Sequence, residues 1–324
     1  FIIHIIINKS FGLFIGNLFK PNILMFKEAD EGNYYISVKY FSSFVNFYKL
    51  KNKLDAVPES ETVVLDFSMV NFVDHTVMEG LQNYTDTFTK KGGSIEIIGL
   101  DKHEADSIHP FAVRKILPFD PLKPIERYFT KRQSDLENTA TDYQWSYRAN
   151  KNIEVDFLSS FVFFRSREIR YFYNTLQDEQ EVCRVLDVEF TEGEFIAKEV
   201  IKSTLMYIAL DRSLPIFTLD REGLLSFLYT GAGFREDIIP NHDYFNRRFH
   251  LSGKDPEVVL PIFTDELIRF LESHPLYHVE SNGSALMILK KERLLGVKEI
   301  RAMIYFGLEL RAILQKLINP KNRE

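Results

Sequence analysis

The segment from residue 61 to residue 81 reads Glu61-Thr-Val-Val-Leu-Asp-Phe-Ser-Met-Val-Asn-Phe-Val-Asp-His-Thr-Val-Met-Glu-Gly-Leu81. Residues 62–68 form a mostly apolar run in which Asp66 is the one charged residue. This pattern is typical of a strand covered on both faces. Apolar side chains then recur at helical spacing after Asp74, a residue type that caps helices. The segment therefore predicts a buried strand, a short loop and an amphipathic helix.

The flanking residues extend this unit on both sides. Residues 33–40 alternate with the period of two that marks a half-buried strand. The next helix carries one apolar stripe, made of Phe47, Leu50, Leu54 and Val57. Residues 94–100 supply another strand after Gly92-Gly93 stops the second helix. Because strand, helix and strand follow one another, we expect strands 62–68 and 94–100 to be parallel.

These motifs resemble the STAS domain, the sulfate-transporter and anti-sigma-factor-antagonist module. The sequence Asp74-His-Thr76 is similar to that of bacterial SulP anion transporters, and the resemblance covers roughly residues 33–115. It also rests on Gly92-Gly-Ser-Ile-Glu-Ile-Ile-Gly-Leu100, Asp101-Lys-His103 and Ser107-Ile-His-Pro110. The resemblance implies an α/β STAS-like domain over residues 22–117, with a mixed sheet of about four strands and helices mainly on one face.

The loop at residues 74–76 is the candidate regulatory site. In the anti-sigma-factor-antagonist branch of the family, a phosphorylated serine follows the aspartate. Here His75 follows Asp74 and Thr76 comes one residue later, so phosphorylation would need a threonine in a different place. We interpret Asp74 as the helix cap, supported by Thr76. The spacing of His75, His103 and His109 does not require a metal, and we predict no metal and no cofactor.

The first 21 residues form a separate apolar segment. A membrane-spanning helix needs about 20 mostly apolar residues, and Lys9 interrupts this run. Gly12 and Gly16 have the spacing of closely packed membrane helices. We expect residues 1–21 to be the end of a membrane segment and its exit, so that the chain begins inside a longer protein. The alternative is an interfacial stretch.

A linker and a second domain are expected after residue 117. Three prolines and a polar stretch place the linker at residues 118–152. Residues 153–324 are predicted to form an α+β domain, with a hairpin over 181–210 and another that turns at Asn282-Gly283. Helices are expected over 220–229, after Asp255, after Thr264 and over 297–317.

Three motifs in this half resemble an uncharacterised bacterial domain found in membrane-associated proteins. They are Phe161-Val-Phe-Phe-Arg-Ser-Arg-Glu-Ile169, Pro215-Ile-Phe-Thr-Leu219 and Phe245-Asn-Arg-Arg-Phe-His-Leu-Ser-Gly253. The resemblance implies a fold unit and no activity.

Two groups of arginines in the second domain are candidate contacts for an anion or a lipid headgroup. The alternative is a solvated, salt-bridged face. The groups are Arg165, Arg167 and Arg170, and Arg247 and Arg248.

Composition and missing motifs bound the function. A net charge of -6 without a long basic run gives a nucleic acid nothing to bind, and one cysteine excludes an internal disulfide. No phosphate-binding glycine loop, nucleophile elbow or zinc-protease motif occurs, so we predict no catalytic residue and no enzyme.

The resemblance instead implies the cytoplasmic regulatory and assembly region of a SulP-type secondary anion transporter, at the cytoplasmic face of the bacterial inner membrane. Its partners would be the membrane domain of the transporter and a second copy in a homodimer. The alternative is a soluble STAS signalling protein that binds a kinase-like regulator.

Overall fold

The computed structural model describes residues 23–29, 32–107, 109–116, 129–193, 199–220 and 235–318. These residues form a mixed α/β protein with two sheets, and they fall into two compact units that divide between residues 134 and 135. The expected membrane segment at residues 1–21 lies outside the described residues. Within the described ranges, no helix combines the length and the apolar character needed to cross a bilayer.

The first unit is built on a mixed sheet of six strands, where about four were expected. The strands are β1 (Ile23–Lys27), β2 (Tyr34–Ser42), β3 (Thr62–Val73), β4 (Ser94–Ile98), β5 (His103–Ala105) and β6 (Arg114–Ile116). β3 lies in the middle, parallel to β2 and β4 and antiparallel to β6. The predicted parallel pairing of the strands that follow residues 62 and 94 is therefore confirmed.

Two helices pack their apolar stripes against this sheet: α1 (Phe44–Asp55) and α2 (His75–Lys90). Leu50 and Leu54 of α1 join Leu81 and Phe88 of α2 in one core with the central strands. β3 is longer than predicted, because residues 69–73 continue to pair with β2 beyond a bulge.

Gly99 ends β4 with a φ of 86°, and a Cβ there would stand 2.2 Å from the backbone nitrogen of Ser68. Only glycine avoids both the left-handed strain and the clash at this position.

The described part of the expected linker at residues 118–152 contains regular secondary structure. Residues 131–142 form a helix, α3 (Lys131–Asp142), and residues 146–148 form a strand, β7 (Ser146–Arg148), which pairs with residues 175–177. The division between the units falls inside α3. The sequence did not predict this helix because residues 131–142 are polar on average. Leu136 and Ala140 are nevertheless buried at helical spacing.

The second unit contains a nine-stranded sheet in which every described pairing is antiparallel. Besides β7, its strands are β8 (Glu168–Gln177), β9 (Cys183–Glu192), β10 (Glu199–Ala209), β11 (Phe217–Asp220), β12 (Arg235–Asp237), β13 (His250–Gly253), β14 (His278–Ser281) and β15 (Ala285–Leu289). The strand order is β12-β13-β11-β14-β15-β10-β9-β8-β7. Both predicted hairpins, β9 with β10 and β14 with β15, are confirmed.

Helices of the second unit begin where their caps predict. Asp255 caps α6 (Pro256–Val259), and Thr264 caps α7 (Asp265–Ser273). The other helices are α4 (Asp156–Ser159), α5 (Asp243–Arg248) and α8 (Val297–Ile318). α8 buries Met303, Ile304 and Leu310 in the main core of this unit. The helix expected from Asp220 to Tyr229 lies, after Asp220, outside the described residues.

Candidate functional site

Asp74 joins the beginnings of both helices in the first unit. Its Oδ1 accepts a hydrogen bond of 2.9 Å from the Val77 amide in α2, and its Oδ2 accepts one of 2.6 Å from the Phe44 amide in α1. Its own amide donates to the carbonyl of Ser42 at 3.0 Å. This geometry arises because β2 and β3 are parallel neighbours, so the loops after them emerge at the same edge of the sheet. The predicted cap is confirmed, and it serves two helices instead of one.

Asn46 completes the start of α1 and was missed in the sequence. Its Oδ1 accepts from the Ser43 amide at 2.8 Å, and its Nδ2 donates to the carbonyl of Phe41, also at 2.8 Å. The sequence signal is a serine followed three residues later by a side chain that can reach back, with asparagine in place of the usual glutamate or glutamine. This second clamp fixes the loop that faces Asp74.

The loop borders a cleft of about 290 Å³ at this edge of the sheet. The structure brings all three predicted loop residues to it, with His75 and Thr76 exposed and Asp74 buried. The lining residues are Phe44, Phe72, Asp74, His75, Thr76, Asp106, Val113 and Lys115. The walls are mostly apolar, and the charged groups at the cleft are two carboxylates and one lysine. Such a cleft can receive an apolar side chain, with polar groups at its rim to orient it.

His75 lies in a small aromatic cluster beside the cleft. Its ring centroid is 5.4 Å from that of His109 and 6.1 Å from that of Phe111. His103 makes a different contact, in which its Nε2 lies 2.7 Å from the carbonyl oxygen of Val70. Among the described residues, no group of three or more histidine, cysteine, aspartate or glutamate side chains is placed to hold a metal ion.

A second concave surface, of about 460 Å³, lies between α1 and α2. The helices approach closely at Gly80, where a Cβ would stand 2.4 Å from the ring of Phe47. Partial burial and the nearby Asp55 carboxylate raise the pKa of Tyr84 to about 12, so this phenol stays neutral. The helices therefore pack closely against each other at Gly80.

Removing the Asp74 carboxylate should destabilise both helix starts together. For Asp74→Ala we expect a loss of about 2–3 kcal/mol in the free energy of unfolding, because one helix cap contributes about 0.5–2 kcal/mol. Asp74→Asn keeps one acceptor oxygen and should lose about half as much. Hydrogen exchange of peptides from α1 and α2 measures the loss. Asp86→Ala, at an exposed site on α2, is the control, and equal effects of the two alanine variants would contradict the double cap.

The predicted arginines do not form one exposed face. Arg167 is buried and pairs with Glu192 and Glu292 at 2.8 Å each, while its guanidinium lies 4.0 Å from the ring centre of Phe163. Arg170 pairs with Glu189 at 2.5 Å. Both are therefore salt-bridged, but Arg167 is buried, whereas the alternative was a solvated face.

Arg248 also makes hydrogen bonds within the protein. It donates to the carbonyls of Glu272 and His274, the latter at 2.5 Å, and so covers the end of α7. Arg165 and Arg247 are exposed. Contact of these two with an anion or a lipid headgroup stays a prediction.

Comparison with known proteins adds little. No protein-family model matches the chain, and no curated protein matches it. A solved structure, that of the mycobacterial trehalose monomycolate transport factor A, aligns with 57% of this chain and 96% of its own, at 6% identity and a TM-score of 0.36. A likeness this weak carries no argument about function.

Proposed function

We propose that the first unit is a STAS-like regulatory and assembly domain that acts by binding another protein, as the cytoplasmic part of a SulP-type anion transporter. The observation that carries the proposal is the double cap at Asp74, which holds an exposed loop beside an apolar cleft. The parallel strands with two helices packed together also agree with the fold that the STAS resemblance implies. Neither feature requires chemistry at the loop.

The mechanism follows from how the loop is held. Because the Asp74 carboxylate holds the starts of both α1 and α2, a displacement of the loop would move both helix starts together. A membrane domain that contacts His75 and Thr76 in one conformation and releases them in another would gain that contact energy in the first state only. Differential contact of this kind shifts a two-state equilibrium. The domain would thereby favour one alternating-access state of the transporter.

The second candidate is a soluble signalling protein with a kinase-like regulator. The observation in its favour is that Thr76 is exposed at the second residue of α2, where the amino-terminal end of a helix favours negative charge. Phosphorylation at Thr76 by a copurifying kinase, detected by mass spectrometry, would support this candidate. The coding sequence upstream of Phe1 separates the two, since ten or more apolar spans in frame would exclude a soluble protein.

Site-directed cross-linking tests the contact itself. We expect full-length protein with Thr76→Cys, carrying a photoactivatable cross-linker, to form a covalent adduct with a transporter membrane domain in isolated membranes. Cys183 should give little background, because burial raises the pKa of its thiol to about 11. Glu179→Cys, at an exposed site in the second unit, is the control. Adducts formed only with a soluble protein, or equally from both positions, would overturn the proposal.

A further inference from the structure

The outer face of α1 exposes three large apolar side chains within its first five residues. Phe44 is 59% exposed, Val45 43% and Tyr48 69%. The opposite side of the helix packs on the sheet, with Leu50 and Leu54 buried in the core. The exposed side chains are therefore additional to those that hold the helix on the sheet.

The neighbouring helix shows that this exposure is particular to α1. Every exposed position of α2 holds a polar or histidine side chain, among them Glu79, Asp86 and Lys90. Both helices belong to the same layer and bury comparable apolar stripes. A solvated outer face, as on α2, is the ordinary result for a surface helix.

Lysines flank the apolar face of α1 on both sides. With about 100° between successive residues, Val45 and Tyr48 lie near the middle of the exposed arc. Lys51 lies roughly a quarter turn to one side, and Lys49 and Lys53 lie roughly a quarter turn to the other. All three lysines are exposed, and Lys51 pairs with Asp55, the acidic residue of this helix. The middle of the face thus holds Val45 and Tyr48 with the exposed Asn52 between them. One border holds Lys49 and Lys53, and at the other Lys51 is paired with Asp55.

We propose that the outer face of α1 docks onto an anionic lipid surface. An apolar stripe with lysines at both borders suits the interface of a bilayer, where the apolar side chains enter the acyl boundary and the ammonium groups reach the headgroup phosphates. Net positive charge lies along the border that holds Lys49 and Lys53, where it complements negative headgroups.

This docking goes beyond the proposed function and uses different residues. Of the exposed apolar side chains on α1, only Phe44 also lines the Asp74 cleft. Val45, Tyr48, Lys49 and Lys53 do not line it, so variants at these four positions test the lipid contact alone. Cross-linking at Thr76 can therefore fail while vesicle binding by α1 is observed, and vesicle binding can fail while cross-linking succeeds.

Vesicle flotation with the full chain tests the proposal. Protein-free vesicles of phosphatidylcholine with phosphatidylglycerol are compared with pure phosphatidylcholine vesicles. We expect Lys49→Glu with Lys53→Glu to lower the partition onto the anionic vesicles by about 30-fold. Val45→Ser with Tyr48→Ser should lower it by about tenfold. Added salt should weaken binding of the unaltered protein.

The matched control is Lys254→Glu with Lys298→Glu, which makes the same change in net charge at exposed sites of the second unit and should leave partition unchanged. Because all these positions are exposed, circular dichroism should show the same thermal unfolding for every variant. If the apolar residues 1–19 alone drove binding, the α1 variants would bind as the unaltered protein does, and the proposal would fail. The protein could instead bind native membranes but not protein-free vesicles, and lose that binding when the membranes are treated with trypsin. This result would assign the face to a protein partner and would also overturn the proposal.

Discussion

Glu280→Gln is expected to lower the free energy of unfolding of the second unit by about 3–5 kcal/mol, the range for removing one partner of a buried charge pair. The carboxylate is fully buried and accepts from the amides of Val162 and Phe163, the latter at 3.1 Å. Its Oε2 also lies 3.6 Å from Nε2 of His278. A glutamine has one acceptor oxygen, so it leaves a buried amide unsatisfied and removes a charge from beside the imidazole.

The same substitution should change how stability depends on pH. Burial opposes the charge on His278, but Asp220 and Glu280 outweigh it and raise the pKa of this histidine to about 9. Because the folded pKa lies above the unfolded value of about 6.5, the stabilisation is complete below about pH 6.5 and is lost as the pH rises through about 9. The unaltered protein should therefore lose up to about 1.4 kcal/mol per pH unit in this window. Glu280→Gln should flatten that slope.

Fluorescence of Trp145, the single tryptophan, follows unfolding of the second unit during denaturant titration. Glu179→Gln makes the same chemical change at an exposed position of the same unit and should cost less than about 0.5 kcal/mol. A similarly small effect of Glu280→Gln, with an unchanged pH slope, would show that the cluster around His278 contributes nothing to stability.

The first unit could be predicted from its sequence because its signals are local. Asp74 stands directly before the helix that it caps, and the apolar residues of α2 recur within one short segment. Asp66 shows the limit of this reasoning. Its carboxylate accepts from the Ser68 amide at 2.7 Å, and the hydroxyls of Tyr35 and Ser68 also donate to it. Tyr35 comes from the neighbouring strand, and that pairing depends on the register of the sheet.

Glu280 could not be identified from the sequence for the same reason. In the segment His278-Val-Glu-Ser281, alternation places His278 and Glu280 on one face, which local pattern alone would assign to solvent. Instead, the amides that cover this face come from the turn at residues 162–164, 118 residues earlier for Val162. Arg167, expected at the surface, is buried and donates to Glu292, 125 residues away. Contacts at such separations leave no trace in local periodicity.

Arg132→Met is expected to cost the first unit about 3–5 kcal/mol, although residue 132 lies in the stretch that the sequence assigns to a linker. Nη1 of Arg132 is 2.7 Å from Oδ2 of Asp101, and both side chains are 1% exposed. The Thr130 hydroxyl donates to the other carboxylate oxygen at 2.5 Å, and Thr130 also caps α3 by accepting from the Gln133 amide at 3.2 Å. Methionine fills a similar volume without charge, so the loss measures the effect of burying Asp101 without the Arg132 guanidinium.

Peptide-resolved hydrogen exchange of residues 94–105 can measure this loss without interference from the second unit. Lys131→Met, one residue away and exposed, is the matched control and should be nearly neutral. Adding Asp101→Asn to Arg132→Met removes the buried carboxylate charge that has lost Arg132, so the double variant should be more stable than Arg132→Met alone, by about 1–3 kcal/mol. A double variant less stable than the single one would mean that packing, and not the buried charge pair, holds the start of α3 to the first unit.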